Sequence, residues 1–251
     1  VTFSLGYVEA LFLLSARNGA ALWLMPAFNL QALPAAGRLA MAVALSAAAL
    51  PAGQHEPFAS DARFGFAIVT ELLLGVVLGF VVNTAFAAIR SGGAMLDNYL
   101  GLGMAAMIDP AGHNERSSPT EAFSNVLATA LFFGANVHLQ VLWALHRLVE
   151  VLPPGSWTGA LNAANVIGLG ANLFEVAVRL TLPLLAISFV TDAALALASR
   201  MVPQLQPIFL GAPVKSAVGL GALALSLPVW GAAVLALFDT LPSQMAGLLA
   251  R

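Results

Sequence analysis

From Phe64 to Ile89 the chain runs twenty-six residues with one charged side chain, Glu71. About 20 consecutive apolar residues suffice for a helix to cross the hydrocarbon core of a bilayer. In lipid such a run must satisfy its own backbone hydrogen bonds, which a helix does and an extended segment does not. Five more apolar segments follow the same pattern, at roughly 3–25, 37–52, 121–149, 165–199 and 214–238. Segment 37–52 is marginal in length and could be one arm of a hairpin. The breaks carry turn chemistry: Pro26 and Pro34, then Pro51-Ala52-Gly53, Pro153-Pro154-Gly155, and Pro203, Pro207 and Pro213.

Only 9% of the residues are charged and 60% are hydrophobic, whereas soluble domains carry roughly 25% charged residues. The chain is therefore read as an all-α integral membrane protein of about six long apolar helices or helical hairpins, a single polytopic domain over 1–251. A net charge of −2 gives no reason to expect nucleic acid. With no cysteine, disulfides, thiol chemistry and Cys-ligated metals are excluded. The first apolar run lacks a basic leader and a small-residue cleavage site, so it is expected to be retained.

One stretch resembles neither neighbour. Asp97 to Ser124 holds four acids (Asp97, Asp109, Glu115, Glu121), Arg116, His113, Asn114 and two prolines between long apolar runs. Gly101 and Gly103 loosen the backbone, and Pro110 and Pro119 forbid a continuous helix through it. Polar, non-helical backbone at membrane depth is tolerated only where protein or a water-filled cavity covers it. The stretch is read as a loop that enters or borders a polar passage, against the alternative of an ordinary extramembrane loop.

Charges inside the apolar runs are costly and call for partners. They include Arg17, Glu71, Glu175, Arg179 and Asp192. Glu175 and Arg179 stand four apart, which on a helix makes them a side-by-side pair, expected to be buried within a bundle. Glu71 opens Glu-Leu-Leu-Leu-Gly75 with Gly79 four residues on, a small-xxx-small face for close helix packing. Glu71 itself is expected to bond a neighbouring helix or subunit.

Enzyme signatures do not emerge. His138, His146 and Glu150 share a helical face, but without metal-site spacing, and HExxH, GxSxG and the glycine-rich phosphate and dinucleotide motifs are absent. Neither catalysis, nor metal, nor cofactor is expected. Trp23, Trp143, Trp157 and Trp230 read as interface anchors or packing residues. The arginine and lysine distribution slightly favours an external N-terminus.

The stretch from Asp192 to Leu227 carries the most specific pattern: Arg200, then Pro203-Gln204-Leu205, Ile208-Phe209-Leu210 and Pro213-Val214-Lys215. It resembles the FliR family of flagellar and type III secretion export-gate membrane proteins. Glu71 with Gly75 and Gly79 resembles that family's third helix, and Gly93 to Pro110 the segment before its plug loop. Asp97-Asn98 and Arg116-Ser-Ser-Pro119 lean toward the injectisome (SctT-like) branch. Gln206-Pro207 departs from the family's usual asparagine and valine.

The resemblance implies a non-catalytic subunit of the type III protein-export gate in the bacterial inner membrane, partly projecting into the periplasm. It implies association with two other small export-gate proteins (FliP-like and FliQ-like), with the export switch protein (FlhB-like), with membrane lipid, and with unfolded protein substrates. It implies a fusion of the two partner folds, a four-helix part at 1–160 and a two-helix hairpin part at 161–251. It further implies a pore plug at about 104–119, with Met104, Met107, Ile108, Asp109, Pro110, Arg116 and Pro119. A partner-contacting loop would run from Arg200 through Pro203, Gln204, Phe209 and Pro213 to Lys215. Beside it stands the reading of a secondary transporter or channel for a small solute, with Arg17, Glu71 and Asp192 as coupling charges.

Overall fold

The computed structural model describes residues 4–28, 34–50, 56–100, 119–157, 163–201 and 207–247. Among them the regular structure is helical: α1 (Leu5–Leu24), a 3-10 turn (Pro26–Phe28), α2 (Ala35–Ala49), α3 (Asp61–Leu100), α4 (Pro119–Gly134), α5 (Val137–Val151), α6 (Ala163–Met201), α7 (Pro207–Asp239) and α8 (Leu241–Gly247). The chain is an all-α membrane protein, as its apolar runs dictate.

Among the described residues the number of candidate spans is lower than six. Three helical stretches are long and apolar enough to cross a membrane, 61–97, 167–200 and 213–247, or four if α4 and α5 together form one. The expected single fourth segment is broken: α4 and α5 meet at a bend of 65°. Asn136, in the left-handed region at φ 57°, turns the chain there, a conformation that Asn tolerates better than most residues. α1 falls short because Glu9, Ser15, Arg17 and Asn18 interrupt it, and α2 because it has only fifteen residues.

Residues group into two compact units. The first comprises 1–85, 132–170 and 239–251; the second comprises 86–131 and 171–238. This is a grouping by packing, and it interleaves along the chain.

In the first unit, Ser4 caps α1 by accepting from the Tyr7 N–H. The buried residues of α1 are Gly6, Ala10, Leu13, Leu14, Arg17, Asn18, Ala21 and Leu22, one helical stripe at three- and four-residue spacing. That stripe meets α2 and the 61–85 part of α3. Ala10 and Leu14 cluster with Leu50 and Val149, with Tyr7, Leu11 and Ala49 packed against them. Phe28 stacks edge-on against Phe132 and Phe133. The buried positions of α5, Val137, Val141, Leu145 and Val149, repeat every four residues and line its inner face.

In the second unit, Phe86 of α3 packs on Phe238 of α7 at 5.4 Å between ring centres. The Trp230 indole, buried on α7, donates to the carbonyl of Leu180 on α6 at 2.9 Å. That bond lies beside Pro183, which cannot donate to the preceding turn. α7 begins at Pro207 and contains Pro213, so the expected proline-rich loop up to Lys215 is corrected: residues 207–215 are helical. Proline in the first turn of a helix forfeits no hydrogen bond, because the N–H it lacks would have no intrahelical partner there.

Candidate functional site

The most constrained polar cluster lies in the first unit, where α1, α3 and the turn after α5 meet. Arg17 sits on the buried stripe of α1 and Glu71 on that of α3, and neither side chain touches solvent. The Arg17 Nε donates to Glu71 Oε2 at 2.6 Å and its Nη2 to Oε1 at 2.9 Å. The remaining guanidinium arm, Nη1, donates to the Leu152 carbonyl at 3.0 Å. The Gly155 N–H adds a donor to Glu71 Oε1 at 2.8 Å. The fork geometry of arginine suits such bidentate pairing. A buried charge pair persists only when its remaining donors and acceptors are also satisfied, and the backbone of 152–155 does that.

Two glycines make the approach possible. A Cβ at Gly75 would collide with the Arg17 carbonyl, and one at Gly79 would stand 2.6 Å from that of Ala21. Gly155 has a φ of 78°, and a Cβ on it would lie 2.5 Å from the Phe58 ring. The Phe58 N–H in turn donates to Glu9 of α1 at 2.9 Å. A cavity of ≈ 780 Å³ opens beside this end of the unit, lined among others by Glu56, Phe58, Arg63, Phe66, Gly155 and Trp157.

A second cluster lies in the second unit. Asp97 is only 2% exposed, and its carboxylate accepts from the Thr120 N–H at 3.1 and 3.2 Å, the Thr120 hydroxyl at 2.6 Å and the Glu121 N–H at 3.3 Å. These are the unpaired donors of the first turn of α4. Pro119, expected in the plug, is exposed and is the first residue of that helix. Met104, Met107, Ile108, Asp109, Pro110 and Arg116 lie outside the described residues, as do Pro203 and Gln204 and the side chain of Phe209.

The remaining sequence-derived residues fall elsewhere. Arg200 is exposed in the last turn of α6, and Pro213 is exposed inside α7. Lys215 pairs with Asp192 across α6 and α7 at 2.8 Å. Glu175 and Arg179 do bond, at 2.6 Å, but the expectation of a buried pair is corrected: the side chains are 54% and 74% exposed. The periodicity of α6 turns that face away from the partners present in the chain. Among the described residues no cluster of His, Asp or Glu has the makings of a metal site.

Sequence reasoning marked Arg17 and Glu71 as charges in need of partners without joining them. Their opposite signs were the available signal, but at a separation of 54 positions no periodicity links them. The bonding of Asp97 to α4 was missed entirely.

The geometry is that of a packed, multi-pass helical membrane protein. Comparison with known proteins agrees. The chain is 31% identical over 211 residues to the flagellar biosynthetic protein FliR of Escherichia coli strain K12, covering 81% of this chain and 78% of that protein. It is 30% identical over 173 residues to Yop proteins translocation protein T of Yersinia pestis, covering 67% and 66%. With FliR of Caulobacter vibrioides it shares 28% identity over 228 residues, 88% of each chain. The sequence model of one family, described as bacterial export proteins, family 1, matches residues 8–241. The chain belongs to that family, the bacterial export proteins of family 1.

Proposed function

We propose that the chain is a non-catalytic subunit of a type III protein-export gate in the bacterial inner membrane. Relatives named for flagellar biosynthesis and for Yop translocation both align with it, so the reading holds for either branch. Its partners on this reading are the FliP-like and FliQ-like membrane proteins and the FlhB-like switch protein, and its cargo is unfolded polypeptide. The 1–160 and 161–251 parts correspond to the two partner folds, and the assembly projects partly into the periplasm.

The observation that carries this reading over a small-solute transporter is the engagement of the embedded charges. Both oxygens of Glu71 are held by Arg17 and Gly155, and Asp192 is paired with Lys215. A coupling carboxylate must exchange its ion with a pathway, whereas Glu71 is buried and committed to holding α1 and α3 together, and Asp192 already has a cation beside it.

In this reading Met104 to Pro119 closes the lumen. Met104, Met107 and Ile108 supply apolar bulk that seals by packing and dewetting, and methionine adapts to an irregular gap. The region from Arg200 to Lys215 faces the cytoplasm and meets the switch protein. The test is ion conductance of reconstituted complexes lacking 109–118, with assembly checked on the same samples. A leak from an intact complex is expected. A complex that assembles normally and conducts no more than its parent would show the segment to be only a connector.

A further inference from the structure

We propose that the cavity beside Gly155 is a binding site for one membrane phospholipid with a primary-amine headgroup. Its volume of ≈ 780 Å³ lies within the roughly 300–1,000 Å³ of sites that take small organic ligands. It belongs wholly to the first unit, with walls from residues 56–67 and from the turn at 155–157.

Three observations select the ligand. The first is depth. Arg63 lines the cavity one residue before Phe64, where the apolar run to Ile89 begins. A charged residue at that border of a candidate span stands at the level of lipid headgroups, a depth that also favours a tryptophan such as Trp157 in the same wall. The second is the apolar lining. Phe58, Phe66 and Trp157 give the cavity aromatic walls, and from Phe66 an exposed stripe of α3 runs on through Val69 and Leu73. Positions 66, 69 and 73 follow helical spacing, so an acyl chain leaving the cavity continues along an apolar face. A water-soluble ligand has no use for such a face.

The third is charge. Glu56 and Arg63 both line the cavity and are exposed, and neither side chain has a hydrogen-bond or ion-pair partner among the described residues. A carboxylate and a guanidinium that do not pair with each other fit a headgroup carrying both signs. Its phosphate goes to Arg63, whose fork suits phosphate oxygens, and its ammonium to Glu56. Arg63 also lies in the first turn of α3, where the helix end favours an anion. A purely anionic headgroup would meet Glu56 unfavourably, and a quaternary amine has no N–H to donate to it.

The position gives the lipid a structural consequence. Gly155 lines the cavity while its N–H holds Glu71, and Phe58 lines it while its N–H holds Glu9. A bound lipid braces the two backbone segments that engage these carboxylates of α3 and α1, and stabilises the folded protein by mass action.

The test is a titration of the delipidated protein in detergent, in whichever state it purifies, complex or monomer, so that the outcome is independent of the gate reading. Dioleoyl phosphatidylethanolamine and dioleoyl phosphatidylglycerol are the probes, and native mass spectrometry counts bound lipid. The parent is expected to hold one phosphatidylethanolamine about fivefold more tightly than phosphatidylglycerol, near the upper end for one exposed charge pair. Glu56→Gln should erase that preference, and Arg63→Gln should weaken both lipids. The melting temperature of the parent should rise more with phosphatidylethanolamine, and Glu56→Gln should remove the difference. Equal affinity of the parent for the two lipids overturns the inference, as does a preference that survives Glu56→Gln. So does loss of assembly in both variants, which would make the two side chains structural. An Ala62→Cys variant that crosslinks to a partner subunit while lipid has no effect overturns it as well, because the cavity would then be a protein contact.

Discussion

The guanidinium of Arg17 reaches from α1 to hold both carboxylate oxygens of Glu71 on α3, at 2.6 and 2.9 Å, out of contact with solvent. Removing one partner strands the other charge in an apolar interior, at a cost of roughly 3–5 kcal/mol. Arg17→Leu and Glu71→Leu should each sharply lower the steady-state level and melting temperature of the assembled protein. The double variant should recover part of the loss, because no bare charge remains. Full recovery is not expected, since the Leu152 carbonyl and Gly155 N–H lose their partners too. Thermal unfolding of the four members of this cycle measures the coupling.

Glycines in one helix should respond in opposite ways. Gly75→Ala drives a methyl group into the backbone of α1 and should cost several times more than ordinary surface changes. Gly65, on the same helix, has nothing within 4 Å of an added Cβ. Gly65→Ala should stabilise slightly, by up to about 1 kcal/mol from helix propensity. Protease resistance of the purified complex distinguishes the two.

Gly155 combines a positive φ with the nearby ring of Phe58. Gly155→Ala should loosen the turn that supplies the backbone donor to Glu71. It should destabilise by about 1–3 kcal/mol, the range for strained backbone positions. Hydrogen exchange should show the loss locally, as faster exchange over 152–157 before any change in α6 and α7.

The Asp192–Lys215 bridge is partly exposed, and such pairs contribute little, about 0–1 kcal/mol. Asp192→Asn should leave folding nearly unchanged. If Asp192 instead carried a coupling ion, the same change would abolish transport altogether, and uptake assays in vesicles would register it.

Several features were legible in the chain because they are local. The small-xxx-small spacing of Gly75 and Gly79 led directly to a close helix contact, and the i,i+4 spacing of Glu175 and Arg179 to a bonded pair. Which face that pair occupies was not legible, because an apolar helix gives few cues to its inward side. Pro213 suggested a loop from local propensity, yet the long apolar run around it remained helical. Tertiary pairings were the hardest to read: Arg17 with Glu71, and Asp97 with Thr120, join residues far apart in sequence. The break at Asn136 was hidden because a single left-handed residue leaves the hydropathy of its surroundings unchanged.

The account stands or falls on whether this chain is a subunit of a hetero-oligomeric gate. The direct measurement is native mass spectrometry of the detergent-solubilised protein, expressed alone and together with the two small polytopic export proteins of its own system. Expressed alone, it should aggregate or be degraded. Co-expressed, it should appear in one discrete complex containing both partners. A monodisperse, long-lived monomer that ignores both partners would contradict the account and favour the transporter.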